Sequence, residues 1–106
     1  MKYKVMIVED QTMPRELFEL RIQASEHFEV ALSIDNAALA DVYCLRFPVD
    51  LILMDVVTRN GESGLDAAER IKRAFPQIKI IIVTSMPECS YLSRAREIGV
   101  ESFWYK

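Results

Sequence analysis

Three apolar runs in this chain show no alternation of polar and apolar positions: Val5-Met6-Ile7-Val8, Leu51-Ile52-Leu53-Met54 and Ile80-Ile81-Ile82-Val83. Short, unalternating, β-branched runs mark strands buried on both faces, as in parallel sheets. The pattern predicts strands over 3–8, from Leu51, and over Lys79 to Val83, with a fifth over Val100 to Tyr105. Phe28 to Ile34 does alternate, which predicts an edge strand with one wet face. Helices fill the intervals. Thr12 caps the first, with Pro14 in its opening turn, and Leu17, Phe18, Ile22 and Ala24 give its apolar face up to about Ser25. Asn36 caps a second, containing Ala37 to Leu45 and ended by Pro48. A third runs from Leu65 to Phe75 and stops at Pro76; a fourth, Glu88 to Ile98, is closed by Gly99.

The order β-α-β-α-β-α-β-α-β, on short right-handed crossovers, predicts an α/β doubly wound parallel sheet of five strands. At 106 residues the chain should hold one core, so residues 1–106 are read as one domain. No helix follows the fifth strand. One sheet face is thus expected to lack helical cover, and the chain to be part of a longer protein.

Composition narrows the function. Half the residues are hydrophobic (51%) and 27% are charged, which is ordinary for a globular domain. With 13 Lys and Arg against 16 Asp and Glu, the net charge of −3 lacks the basic footprint of nucleic-acid binding. No run has the length of a membrane span, and Met1-Lys2-Tyr3-Lys4 leads into a strand rather than a signal peptide; a cytoplasmic location is expected. Cys44 and Cys89 have no zinc-ligand spacing and read as reduced thiols. His27, the single histidine, lies in an acidic turn and reads as a surface residue.

The chemistry gathers where the apolar runs end. The first stops on Glu9-Asp10, the second on Asp55, the third on Thr84-Ser85, and Phe103-Trp104-Tyr105 stops on Lys106. In an open parallel sheet, ligands bind at the carboxyl ends of the strands. Three carboxylates there disfavour joint ionisation unless a cation joins them. A hard divalent ion suits that donor set, and Mg²⁺ takes few carboxylates while keeping several waters. Lys106 offers a point charge for phosphate or carboxylate, and Thr84 a hydroxyl for a bound oxyanion. Each residue alone has a plainer reading, as a strand-end acid, a turn threonine, a terminal lysine or a core aromatic. The constellation carries the argument.

On these residues the chain resembles the receiver domain of two-component response regulators along its whole length. Val8-Glu9-Asp10-Gln11 resembles the acidic pair after strand one, and Asp55 sits where the family places its phosphorylated aspartate. Thr84 matches the hydroxyl residue, Lys106 the lysine after strand five, and Phe103, three before it, the switch aromatic. The stretch Glu9 to Glu16 further resembles regulators with a helix-turn-helix output domain. The resemblance implies a flavodoxin-like sheet in order 2-1-3-4-5. It also implies Asp55 as phosphoacceptor and Mg²⁺ held by Glu9, Asp10, Asp55 and the backbone carbonyl of Val57. Thr84 and Lys106 would hold the phosphoryl group, and Thr84 and Phe103 would form the switch.

Implied too are a sensor histidine kinase as phosphodonor, a possible homodimer, and DNA contact only through a further C-terminal domain. A domain that modifies itself in this way is a switch rather than an enzyme. Asp55-Val56-Val57-Thr58-Arg59 departs from the family pattern by lacking Met-Pro. The glycine expected eight residues after the aspartate falls at nine, Gly64, with Gly61 as the other register. The alternative function is therefore a degenerate receiver that acts only as a protein-interaction module. A flavin-type binder is disfavoured, because an acidic loop after strand one repels phosphate. A haloacid-dehalogenase-like phosphotransferase is disfavoured as well, because Thr12 stands where its second aspartate is needed.

Overall fold

The computed structural model describes residues 2–56, 63–84 and 92–105. The elements in order are β1 (Tyr3–Val8), α1 (Thr12–Gln23), β2 (Phe28–Ile34), a 3₁₀ turn (Ala37–Leu39), α2 (Ala40–Arg46), β3 (Leu51–Asp55), α3 (Gly64–Ala74), β4 (Lys79–Thr84), α4 (Leu92–Ile98) and β5 (Ser102–Tyr105). The strands form one sheet in order β2-β1-β3-β4-β5, parallel at every pairing. This is the doubly wound, flavodoxin-like topology expected.

Alternate strand residues feed two clusters of unequal size. Met6, Val8, Ile52, Met54, Ile80 and Ile82 face α2, α3 and α4, meeting Ala40, Cys44, Leu65, Ala68, Ile71 and Ala95. Val5, Ile7, Leu53 and Val83 face the other way, where Phe18 and Ile22 of α1 lie on them. Among the described residues α1 is the only helix on that second face. Beside it an apolar groove of about 430 Å³ runs between Leu17, Phe18, Leu53, Ile81, Val83 and Trp104. Trp104 is half exposed there.

Local chemistry explains most of the boundaries. Ser63 Oγ accepts the Leu65 N–H at 3.1 Å and caps α3. That helix buries Leu65, Ala67, Ala68 and Ile71 on one face and carries Lys72 and Arg73 in its last turn, toward the negative end of its dipole. Gly99 takes a left-handed φ of +89° just past α4, where its N–H and that of Val100 reach back to the Ala95 carbonyl. Asn36 Oδ1 accepts the Ala38 N–H at 2.8 Å, but the turn it caps is 3₁₀ before it becomes α2. Cys44 is buried, and desolvation with the nearby Asp41 charge pushes its thiol up to about 11, so it is unreactive packing. His27 is exposed, whereas Cys89 lies outside the described residues.

Three expectations need correction. Thr12 is the first residue of α1 and not its cap; Gln11 holds the cap position without a side-chain bond. The fifth strand starts at Ser102 rather than Val100. The apolar positions of β2 do not share a face. Phe28 and Val30 pack in the smaller cluster, and Leu32 and Ile34 in the larger. The pairing of β2 with β1 slips at Val5/Met6, from Val30 to Leu32, so Ala31 is an extra residue that inverts the side chains after it.

Candidate functional site

Strand register brings the candidate residues level. Val8 pairs with Met54, which sets Glu9 beside Asp55; Asp55 pairs with Val83, and Thr84 follows at the end of β4. One carboxylate oxygen each from Glu9, Asp10 and Asp55 lies within 4.8 Å of the others. Glu9 (1% exposed), Asp55 (6%) and Thr84 (1%) are buried, and Asp10 is half-buried. At such a separation two full negative charges repel by about 3 kcal/mol at an effective dielectric near 20. The cluster is thus a group of oxygen donors that could hold a metal ion. All-oxygen donors fit a hard ion such as Mg²⁺ better than a softer metal.

The turn bearing Glu9 and Asp10 is tightly held. The Glu9 N–H donates to the Ile34 carbonyl at 3.0 Å, and the Arg15 N–H to the Gln11 carbonyl at 3.2 Å. The Gln11 N–H donates to Glu9 Oε2 at 3.2 Å, and Arg15 Nη1 to the Glu9 carbonyl at 3.2 Å.

Asp55 is held from behind by the start of α3. The Gly64 N–H donates to the Val56 carbonyl at 2.7 Å. A Cβ on Gly64 would stand 1.8 Å from the Asp55 carbonyl oxygen, so α3 approaches β3 this closely only through glycine. Of the two registers weighed from sequence, Gly64 is the one seated against Asp55; Gly61 lies outside the described residues.

Glu9, Asp10, Asp55 and Thr84 are thus brought to one edge as predicted. Phe103 pairs with Ile82 in β5 and packs against the larger cluster, on the face that carries α4. Val57 and Lys106 lie outside the described residues. Lys106 follows Tyr105, the partner of Thr84 across the sheet. Two contributors were not read from sequence. Arg15 has only a weak signal, a basic residue in the first turn of the helix after the carboxylates. Gly64 was visible as a glycine, but its contact with Asp55 was not.

A family model described as the response regulator receiver domain matches residues 5–106. The chain is 29% identical over 99 residues to the Fimbriae Z protein of Escherichia coli, covering 93% of this chain and 47% of that protein. It is 28% identical over 103 residues to the oxygen regulatory protein NreC of Staphylococcus haemolyticus, covering 97% and 48%. The chain spans about half the length of these relatives. A solved DNA-binding response regulator of the LuxR family from Staphylococcus aureus superposes with a TM-score of 0.88 at 25% identity, over 97% of this chain and 85% of that one.

Proposed function

This chain belongs to the response regulator receiver domain family, and from that premise we propose that it accepts a phosphoryl group on Asp55 from a sensor histidine kinase. The observation that carries the reading is the trio of carboxylate oxygens within 4.8 Å, with Asp55 buried among them. In the proposed transfer an Asp55 carboxylate oxygen attacks phosphorus in line, the O–P bond forms as the P–N bond of a phosphohistidine breaks, and the leaving imidazole takes a proton. Asp10, Asp55 and the Val57 carbonyl, with Glu9 through water, would hold Mg²⁺. When bound, the ion neutralises the phosphoryl oxygens. Thr84 and Lys106 would hold those oxygens, Thr84 by its hydroxyl and Lys106 as a point charge.

In this reading the switch runs through β4 and β5. Thr84 moves toward the phosphoryl oxygens, Phe103 turns inward, and the surface of α4 and β5 changes shape for an output partner. The likeness to LuxR-family regulators supports transcription control in the cytoplasm, with DNA contacted by a domain following residue 106 and homodimers formed on activation. No helix among the described residues is long and apolar enough to cross a membrane.

Acetyl phosphate with Mg²⁺ tests the acceptor. Intact-mass analysis should show one added phosphoryl group on the chain, lost in Asp55→Asn and absent without Mg²⁺. Undiminished labelling of Asp55→Asn would remove Asp55 from the role. An unlabelled wild-type chain with no response to beryllofluoride would favour the pure interaction module, a reading that the altered sequence after Asp55 keeps in view.

A further inference from the structure

We propose that Arg15 is a resident counter-charge for the carboxylate turn, and that it sets how tightly the site takes a divalent cation. This deepens the functional reading above and rests on it. The guanidinium reaches back from the first turn of α1 to the Glu9 carbonyl at 3.2 Å. It is half-buried, so its field is only partly screened by water. On its other side opens a polar cleft of about 450 Å³, whose charged lining is Arg15, Glu19 and Asp35. Arg15 is thus the one basic group of that cleft among the described residues. It shares that cleft with the acids Glu19 and Asp35, and its hydrogen bond reaches the turn that bears Glu9 and Asp10.

Its geometric contribution is redundant. Three other hydrogen bonds hold the same turn: Glu9 N–H to the Ile34 carbonyl, Arg15 N–H to the Gln11 carbonyl, and Gln11 N–H to Glu9 Oε2. Those bonds do not need the guanidinium. What the side chain alone supplies is a positive charge hydrogen-bonded to the backbone of Glu9, a member of the trio. A fixed cation lowers the repulsion among the acids when the site is empty and opposes the entry of a second cation. Removing it should therefore weaken the empty protein and strengthen Mg²⁺ binding. A unit charge about 8 Å from a divalent ion changes its affinity by about five- to tenfold at a near-aqueous effective dielectric of about 60–80, the most strongly screened case.

Calorimetric titration with MgCl₂ and thermal unfolding in EDTA, each at low and high KCl, decide the matter on the wild type, Arg15→Gln and Arg15→Lys. Arg15→Gln should bind Mg²⁺ about five- to tenfold more tightly and melt lower in EDTA, with both differences shrinking in high salt. Arg15→Lys keeps the charge but not the forked donor, and should stay within about twofold of wild type. Equal or weaker Mg²⁺ binding in Arg15→Gln, with a salt-independent loss of stability shared by Arg15→Lys, would make Arg15 a simple brace and overturn the proposal. Should Arg15→Gln fail to fold, the lysine variant decides alone, because a brace fails in it and a counter-charge survives. A wild type that takes no Mg²⁺ defeats the functional reading instead. Arg15 is then judged by whether salt closes the stability gap in EDTA.

Discussion

The two ends of the sheet treat acidic side chains in opposite ways. At the entrance, where the strands begin, three acids are matched to donors. Glu101 accepts from the Ile80 N–H at 2.7 Å and from Lys72 Nζ at 2.9 Å. Asp50 Oδ2 accepts the Lys4 N–H at 2.8 Å, and Glu29 pairs with Lys4 Nζ. At the exit, Glu9, Asp10 and Asp55 are pressed against one another, and the backbone is crowded as well, with α3 against the Asp55 carbonyl. One end is arranged to hold the fold, and the other gathers acids that could hold a metal ion.

Mutation can break this contrast, and the largest effect should come from space rather than charge. Gly64→Ala drives a methyl into the backbone at Asp55, where no side chain can swing aside. It should cost about 3 kcal/mol in urea unfolding, or displace Asp55 and lower acetyl-phosphate labelling. A fully labelled Gly64→Ala of wild-type stability would mean that α3 and β3 have slack between them.

The next effect has the opposite sign. Asp55→Asn removes a charge from the crowded end and should stabilise the protein in EDTA by about 1–2 kcal/mol. In millimolar Mg²⁺ the advantage should shrink or reverse, because only the wild type gains stability by binding the ion.

The smallest effect belongs to the matched end. Burial pushes the Glu101 carboxyl up, but the Ile80 N–H, the Lys72 bond and the charges of Lys72 and Lys79 outweigh it and hold the carboxyl below its ordinary value of 4.5. A carboxyl depressed on folding contributes stability that is present above its unfolded value and lost as pH falls through the folded one. Glu101→Gln should therefore cost about 1 kcal/mol at pH 7, discounted for solvent screening, and leave a flatter loss of stability below about pH 4.5. Equal signs for Asp55→Asn and Glu101→Gln in EDTA would erase the contrast between the two ends.

Most of this architecture was legible in the chain because buried parallel strands leave an unmistakable trace. Ile80 to Val83 and Leu51 to Met54 can hardly be read otherwise, and their last residues name the site edge. Spacing placed Glu9, Asp10, Asp55 and Thr84 together before any coordinates did so. What escaped was set by individual contacts that no pattern of residue types displays. Glu101 looked like the second residue of a strand, yet its side chain bonds Ile80 and Lys72, and the strand starts only after it. Gln11 took the cap position from Thr12 because the chain leaves the Glu9 turn still extended there, with ψ of 130°. No local pattern announces that a guanidinium six residues downstream returns to Glu9.

The extra residue in β2 reaches further than a local irregularity. Counted along the chain, Phe28, Val30, Leu32 and Ile34 have the same parity and belong to one side. Counted through Ala31 they split into two pairs, and the sheet's outermost strand becomes a seam stitched into both cores. Many replacements of Ala31 would keep this split, and so would its deletion: Leu32 would then follow Val30 directly, and plain alternation would send Phe28 and Val30 to one core and Leu32 and Ile34 to the other.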